Sequence, residues 1–408
     1  LCDSSRGPML RRQFLALAAC IMPSLLTGAS PRAARAREGD RTVKLFLAGD
    51  VMTGRGIDQI LPHKSAPEIY EQWLRSARDY IEVAERVSGP IPREVDYRYI
   101  WGDALTTLET AKPDARIINL ETAVTTSDER WPGKGIHYRM HPDNTPVLEA
   151  AGIDCCALAN NHMLDWGYDG LEETLQRLRQ TGMATAGAGE DRAASTTPAV
   201  IDVGRGHRVL VFSLSHGSSG VPSSWSAGEA QAGVWRLADL GTRAVEQVSA
   251  VVRRFKRPGD IAVASIHWGG NWGFDLDPDM RKFAHDLLDS AGIDLVHGHS
   301  SHHPRGLEVY RDRLILYGCG DFINDYEGIR GREAFRGDLR VMYLPEIDLA
   351  SGELTALRMP VFRSHQFRLS PAAEEDVTWL AAVLDRESRR LGETRVEAGA
   401  GELVLHPG

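Results

Sequence analysis

The chain has 408 residues, of which 42% are hydrophobic and 25% are charged, a composition typical of globular proteins with one large domain or two ordinary ones. Its formal net charge of −9 argues against nucleic-acid binding, because proteins of that class usually present a basic surface. We therefore predict no nucleic-acid partner.

The N-terminal residues 1–36 have the pattern of an export signal. Met9 is the expected start, and the basic pair Arg11 and Arg12 is followed by a short apolar stretch and a cleavage site of small residues. The arginine pair favours a twin-arginine signal, with an ordinary Sec signal as the alternative. Cys20 resembles a lipoprotein cleavage site, but the apolar stretch before it is shorter than the usual ~7–15 residues. We expect an exported protein, periplasmic or extracellular, without a lipid anchor.

Three cysteines follow the predicted signal. Cys155 and Cys156 are adjacent in one apolar run, and Cys319 lies in another. This spacing matches neither a disulfide framework nor a cysteine-based zinc site, so we expect buried thiols. No later apolar run approaches the ~18 residues of a membrane span.

Short apolar runs alternate with helical patterns along the rest of the chain. The runs are too short for helices and are bounded by Gly, Asp, Asn or His, which predicts buried strands. These strands are expected at 43–48, 116–120, 155–159, 208–214, 261–266, 295–296 and 314–317. Helices are expected at 169–180 and 277–290, and long connections at 60–100 and 217–235. The alternation predicts an α/β core, and an apparent hairpin at 200–214 predicts mixed sheets.

Polar side chains directly follow most of the predicted strands. Ligands of α/β proteins bind beyond the carboxyl ends of strands, so carboxylate, amide and imidazole groups at several ends predict a binding site. The groups belong to Asp50, Asn119, Glu121, Asn160, Asn161, His162, His267, His299, His302 and Asp321. Taken singly, each could instead be a turn residue, a cap or a core histidine.

The chemistry of this set favours a metal centre. Oxygen and imidazole donors without thiolates suit Mn²⁺, Fe²⁺ or Zn²⁺. The donors are more numerous than one tetrahedral ion needs, and two ions sharing a carboxylate would use them, as in two-metal hydrolytic sites. The predicted metal ligands are Asp50, Glu121, Asn161, His267, His299 and His302.

Four histidines fall within residues 297–303, and they are not expected to be equivalent. His299 follows a glycine that frees the loop, and His302 lies one loop turn further on. His297 is at a strand end and is expected to pack or point away. His303 precedes a proline, which favours extended backbone, and we expect it at the rim.

Six segments together resemble the CapA family, the poly-γ-glutamate capsule synthesis proteins, which have a metallophosphatase-like fold. The resemblance extends in order over roughly residues 43–330. It implies a calcineurin-like four-layer α/β/β/α sandwich, for which we expect a domain at 43–370 followed by a C-terminal helix and tail at 371–408. The segments are 49–55 (GDVMTGR), 119–122 (NLET), 159–162 (ANNH), 267–269 (HWG), 298–302 (GHSSH) and 317–322 (YGCGDF).

The resemblance also implies how the metal ligands divide. Asp50 and His302 would bind the first ion, and Asn161, His267 and His299 the second. One or two divalent ions are therefore expected.

Three departures from the broader phosphoesterase pattern bear on the first ion. The usual D-x-H motif ends in Met52 here, which removes one imidazole. Glu121 replaces the usual bridging aspartate, and His299 and His302 are three positions apart rather than two. The first site is expected to be weaker, or only one ion binds.

The remaining residues of the predicted site surround the metal ligands. The resemblance places His162 like a histidine that protonates the leaving group or steadies developing charge. Arg55 and Asn160 are candidate substrate-binding residues, with an ordinary surface arginine as the alternative for Arg55. Asp165 and Asp321 are expected to orient ligand histidines.

Three functions remain open. The first is an exported metal-dependent hydrolase acting on a phosphoester or an amide bond, with a phosphorylated compound or an anionic polymer as substrate. The second is a binding, assembly or export protein for an anionic exopolymer such as poly-γ-glutamate, working with membrane-bound capsule-synthesis machinery. A purely structural metal site is the weakest, because such sites are closed whereas the glycine-rich loops at 269–270 and 318–320 predict an open mouth.

Overall fold

The computed structural model describes residues 41–406, so the predicted export signal lies outside the described residues. The helices are α1 (Gly56–Ile60), α2 (Ala77–Ser88), α3 (Ala104–Ala111), α4 (Pro146–Ala150), α5 (Gly167–Gln180), α6 (Arg192–Thr196), α7 (Thr242–Phe255), α8 (Pro278–Ser290) and α9 (Glu374–Arg389). The strands are β1 (Thr42–Val51), β2 (Ala115–Leu120), β3 (Ala123–Val124), β4 (Arg139–Met140), β5 (Cys155–Ala157), β6 (Ala184–Ala186), β7 (Ala188–Gly189), β8 (Ala199–Gly204), β9 (His207–His216), β10 (Gly233–Val234), β11 (Arg236–Leu237), β12 (Ile261–His267), β13 (Leu295–His299), β14 (Leu307–Tyr310), β15 (Arg313–Leu316), β16 (Asp321–Ile323), β17 (Leu339–Val341), β18 (Leu344–Asp348), β19 (Leu354–His365), β20 (Arg368–Pro371), β21 (Arg395–Ala398) and β22 (Glu402–His406).

Two mixed sheets carry the fold. The first has the strand order β21-β22-β19-β18-β1-β2-β5-β6, with β1, β2, β5 and β6 parallel and the strands from β18 to β21 antiparallel. The second has the order β11-β9-β12-β13-β15-β14, parallel except for β14, and β8 pairs antiparallel with β9. The parallel strands of both sheets are buried, which explains their continuous apolar runs.

The order of the layers follows from the apolar faces of the two sheets and of the helices packed on them. Side chains from both sheets, including Leu47 and Ile117 of the first and Val211 and Val263 of the second, form one core between the sheets. Helix α5 packs on the outer face of the first sheet, and α7 and α8 pack on the outer face of the second. The predicted four-layer α/β/β/α sandwich with mixed sheets is confirmed.

The expected helices are present, with small differences at their ends. Helix α8 begins at Pro278, and the side chain of Asp277 caps it by accepting a hydrogen bond from the Asp279 amide at 2.9 Å. The connection predicted at 60–100 contains α2, which Ser76 and Asp79 cap reciprocally. Among residues 41–406, no helix combines the length and the apolar character that a bilayer crossing requires.

The C-terminal residues close one edge of the sandwich. Helix α9 contributes Leu380 and Leu384 to the core between the sheets. The Ser388 hydroxyl of α9 accepts a hydrogen bond from the Leu307 amide of β14 at 3.0 Å. The hairpin of β21 and β22 then extends the first sheet by pairing with β19. The region predicted as a helix and tail thus bridges the two sheets.

Close backbone packing sets the position of the end of β1. A Cβ atom on Gly49 would lie 1.9 Å from the carbonyl oxygen of Gly320, so only glycine fits there. The Asp50 amide donates to that same carbonyl at 3.1 Å. Strand β1 can therefore approach the 318–320 loop closely enough to bring Asp50 beside Asp321.

We predict that Gly49→Ala lowers the free energy of unfolding, because the alanine methyl group would meet backbone atoms rather than a movable side chain. The loss should be no smaller than the about 1–3 kcal/mol that is typical of overpacking. Urea denaturation measures the change. Gly135→Ala is the matched control, since its Cβ would have no neighbour within 4 Å. Equal stability of the two variants would contradict this packing.

Candidate metal centre

The site lies where the parallel strands of both sheets end. Asp50 is at the end of β1, where it pairs in register with Asn119 of β2 and with Asp321 of β16. His267 and His299 are opposite each other at the ends of β12 and β13. Because the two sheets are stacked, their strand ends bring these side chains together although they are far apart in the chain.

One group of potential ligands consists of Asp50, His302 and Asp321. Their donor atoms lie within 4.8 Å of one another, and all three side chains are buried. His302 Nδ1 is 2.9 Å from Asp321 Oδ1, as expected for a carboxylate that orients a histidine. Asp321 could also supply an oxygen donor to a first ion, which the Met52 side chain cannot do.

A second group contains Asp50, His267 and His299, again within 4.8 Å of one another. His267 Nε2 is 3.0 Å from Asn161 Oδ1 and 3.7 Å from Glu121 Oε1. His299 Nδ1 is 3.9 Å from Asp50 Oδ1. The six predicted metal ligands therefore form one cluster with Asp50 shared by its two halves.

Strained backbone holds the histidine loop against Asp50. Ser300 has a φ of 99°, which is unfavourable for a residue with a side chain and costs of the order of 1–3 kcal/mol. Its amide lies 3.3 Å from both carboxylate oxygens of Asp50 and donates to them. This turn lets His299 and His302 reach Asp50 from the same loop.

The charges of the cluster fit a divalent cation. Burial and the neighbouring Asp321 raise the pKa of Asp50 to about 7, and burial and Asp50 raise the pKa of Glu121. Burial lowers the pKa values of His267 and His299, so both imidazoles are neutral. Among residues 41–406, the basic side chains within 4.0 Å of the carboxylates of Asp50, Glu121 and Asp321 are all histidines. A cation would relieve this clustering of buried carboxylates.

His162 faces the cluster from the side of Glu121. Its Nε2 is 3.7 Å from Glu121 Oε1, and its Nδ1 is 2.6 Å from Asp165 Oδ2. The Tyr138 amide donates to the same Asp165 oxygen at 2.7 Å, which holds the carboxylate in place. Burial lowers the pKa of His162 to about 4, so the ring is neutral near pH 7. With Asp165 accepting the Nδ1 proton, Nε2 carries a lone pair toward the cluster.

Lys134 is a member of this site that the sequence did not reveal. Its ammonium donates to Asp165 Oδ1 and to the Asn161 carbonyl, and it lies 3.1 Å from His162 Nδ1. Burial lowers its pKa. Lys134 is on an irregular loop between two glycines, and no local motif links it to His162.

Two predicted substrate-binding residues have internal partners instead. Arg55 binds Asp325 at 2.5 Å and Glu71 at 2.7 Å and is 3% exposed. Asn160 donates to Asn119 Oδ1 at 3.0 Å and accepts from the His162 amide at 3.1 Å. Both side chains are buried and hold loops together, which leaves neither of them free to contact a substrate.

The other two histidines of the 297–303 stretch, His297 and His303, belong to neither group of potential ligands. His297 is buried, and its Nε2 lies 2.9 Å from the Ala48 carbonyl oxygen. His303 was expected at the rim, but this was wrong. It is 1% exposed, its ring stacks on Trp272 and Phe335, and its Nε2 accepts from the Gly273 amide.

Comparison with known proteins agrees with the motifs. The family model described as "Bacterial capsule synthesis protein PGA_cap" matches residues 44–326. A probable polyglutamine synthesis accessory protein of Mycobacterium tuberculosis is 50% identical over 86% of this chain and 92% of its own length. The PGA biosynthesis protein CapA of Bacillus subtilis is 25% identical over 72% of this chain and 67% of its own length.

A solved structure titled as a novel phosphatase of Mycoplasma pneumoniae has a TM-score of 0.43 and 11% identity, covering 78% of this chain and 93% of that chain. This distant likeness adds nothing to the assignment, which rests on the family model and the close relative. The chain belongs to the PGA_cap family of bacterial capsule synthesis proteins.

Proposed function

We propose that this protein is an exported, metal-dependent hydrolase that cleaves a phosphoester or amide bond during the synthesis of an anionic capsule polymer such as poly-γ-glutamate. The observation that carries the proposal is the buried cluster around Asp50, faced by the hydrogen-bonded pair of His162 and Asp165. A purely structural metal site would not need a proton-transfer pair directed at it.

The donor set fits one or two ions of manganese, iron or zinc. Asp50, His302 and Asp321 would hold the first ion, and Asn161, His267 and His299 the second, with Glu121 beside them. A bound ion would polarise the bond to be cleaved and make water more acidic. Imidazole and carboxylate donors suit these three metals better than the all-oxygen sites preferred by magnesium or calcium.

The protein's own groups supply the proton transfer. Asp165 and the Tyr138 amide hold the imidazole of His162 so that Nε2 points toward Glu121 and the cluster. The neutral Nε2 would accept the proton that the attacking water gives up and pass it to the leaving group, and the Asp165 carboxylate would stabilise the charged ring between these two transfers. His162 and the Lys134 ammonium together hold the pKa of Asp165 below its usual value, so this carboxylate stays ionised.

The names of the relatives support the biological setting. The mycobacterial and bacillar proteins are described as acting in polyglutamine synthesis and PGA biosynthesis. By similarity, we infer that this chain acts on or near such a polymer, with the membrane-bound synthesis machinery as a partner. The predicted signal at residues 1–36 supports an exported location.

We predict that His267→Ala and His299→Ala each lower metal affinity strongly, because each removes a direct ligand. The loss should exceed the about 10–100-fold that follows when a residue hydrogen-bonded to a ligand is removed. Elemental analysis of the purified variants, with circular dichroism to verify folding, measures this. His406→Ala is the control, because His406 is exposed and lies outside the potential ligand groups of the described residues. Full metal occupancy in both cluster variants would overturn the ligand assignment.

We predict that metal binding releases protons near pH 6. The raised pKa of Asp50, about 7, means that its carboxyl is mostly protonated there in the metal-free protein, whereas a bound cation requires the carboxylate. Calorimetric titration at pH 6 in two buffers of different ionisation enthalpy should give different apparent enthalpies, and the release should be smaller at pH 8.5. Identical enthalpies at pH 6 would contradict the clustered carboxylates.

We predict that Asp165→Asn lowers kcat by about 10²–10⁴-fold, the usual contribution of a positioned proton-transfer group, while metal content stays unchanged. The assay uses whichever phosphodiester or γ-glutamyl peptide the unmodified protein cleaves, and its pH profile should change because Asp165 sets the tautomer of His162. Asp169→Asn, an exposed position four residues away, is the control. An unchanged rate and pH profile in Asp165→Asn would contradict the role of the pair.

A non-catalytic role in polymer binding makes a different prediction. The metal-loaded protein would then cleave no member of the substrate panel, and it would retain acidic polymer equally well after His162→Ala. That combination would replace the hydrolase proposal with the binding role.

A further inference from the structure

A cavity of about 830 Å³ adjoins the metal cluster on the side of His302. Two of its lining residues, Trp272 and Tyr326, also pack on the His302 ring, with centroid distances of 5.4 and 5.1 Å. The cavity and the proposed first metal subsite therefore share a wall. None of the proposed metal ligands, His162 or Asp165 lines this cavity.

The cavity wall carries an excess of positive charge. Five arginines and three acidic side chains line it: Arg330, Arg332, Arg336, Arg340, Arg363, Glu327, Glu333 and Asp338. Arg336 and Arg363 are neutralised by two carboxylates, because both contact Asp338, at 2.9 and 3.3 Å, and Asp376, at 2.7 and 4.0 Å. Glu327 accepts hydrogen bonds from two backbone amides of the 365–368 turn. The other three arginines contact no carboxylate of the described residues, and Glu327 and Glu333 are bound by backbone amides rather than by arginines, so the wall keeps a net positive charge.

Arg330 and Arg332 are exposed on the segment between β16 and β17. Among the described residues, neither has a carboxylate oxygen within 4.0 Å of its guanidinium. Arg332 lies over the indole ring of Trp272, 5.5 Å from the ring centre. Both side chains are free to meet a ligand that enters the cavity from solvent.

Arg340 is the unusual group of the inner wall. It is 1% exposed, its Nε has no hydrogen-bond partner, and no carboxylate of residues 41–406 lies within 4.0 Å of its guanidinium. Its Nη2 donates to Asn324 Oδ1 at 2.7 Å, and Asn324 donates to Asp321 Oδ2 at 2.5 Å. Asp321, Asp338 and Glu327 attract this charge, but none of them contacts it. A buried guanidinium without a contacting carboxylate is costly, and an anion in the cavity would relieve that cost.

We propose that this cavity is an anion-binding subsite continuous with the metal centre, and that Arg330, Arg332 and Arg340 bind carboxylate or phosphate groups of the substrate away from the bond to be cleaved. The proposal rests on the proposed function, since it assigns the chemistry of the substrate for that site. Guanidinium groups bind both kinds of anion through paired hydrogen bonds. A chain carrying several anionic groups would reach from Arg330 at the surface to Arg340 beside the metal cluster.

The test measures the binding of defined anions to the purified protein by isothermal calorimetry at low and high salt. One arm uses a γ-linked glutamate oligomer and the other uses tripolyphosphate, so that the two sources of anionic groups are distinguished. Each arm is run with metal-free and with metal-loaded protein. The variants are Arg330→Ala, Arg332→Ala and the double variant, which change exposed side chains and leave the fold intact.

We expect each single variant to weaken the binding of at least one ligand by about threefold to fivefold, the size of an exposed charge pair, and the double variant by about tenfold or more. Salt should weaken binding to the unmodified protein more than binding to the double variant. Arg311→Ala is the control, because Arg311 is an equally exposed arginine outside the cavity, paired with Asp289. Its affinity should stay within twofold of the unmodified protein.

Two results would overturn the subsite. One is that neither anion binds the unmodified protein, and the other is that the double variant binds both as tightly as Arg311→Ala does. Because the metal-free arm does not need the ions, loss of anion binding can be told from loss of the metal centre. An unoccupied metal cluster with intact, arginine-dependent anion binding would refute the hydrolase proposal and leave the subsite standing.

Discussion

A buried carboxylate at the junction of the two sheets is the constraint on which the site depends. Asp50 ends β1, pairs in register with Asn119 and Asp321, and lies 3.9 Å from His299 of the other sheet. Its charge is removed from water beside a second carboxylate, and burial lowers the pKa of the neighbouring His299, which keeps that imidazole neutral. The packing that joins the sheets therefore also creates the need for a cation, because a buried anion without one is unfavourable.

The surroundings of this carboxylate divide into regions with different chemistry. Imidazoles on the strand ends of the second sheet, His267 and His299, supply neutral nitrogen donors. On one side, Asp165 holds His162 toward the cluster for proton transfer. On the other, a cavity with unneutralised arginines begins behind the His302 ring. The groups proposed for metal binding, proton transfer and anion binding are thus adjacent but separate, which allows variants to test the three proposals separately.

Much of this arrangement could be predicted from the sequence, for local reasons. Apolar runs ending in Gly-Asp, Asn-Asn-His or His-Trp-Gly identify buried strands with polar ends, and parallel strands bring such ends together. Helix α2 was missed, although Ser76 and Asp79 form a capping box that signals its start. Arg55 followed a motif that suggested a substrate clamp, yet its partners Glu71 and Asp325 come from segments whose contacts no local pattern specifies.

By itself, the sequence determined the strand and helix pattern, the oxygen and imidazole character of the ligands, and the family. These follow from side-chain chemistry and short-range periodicity. Only the tertiary structure decided which partner each group has, since partners are separated by 250 positions, as Asp50 and Ser300 are, or by 270, as Arg55 and Asp325 are. It brought Lys134 to Asp165, grouped Asp321 with Asp50 and His302, buried His303, and left Arg340 beside a cavity with no carboxylate in contact. Burial and charge pairing depend on packing between distant segments, so no local stretch of residues encodes them.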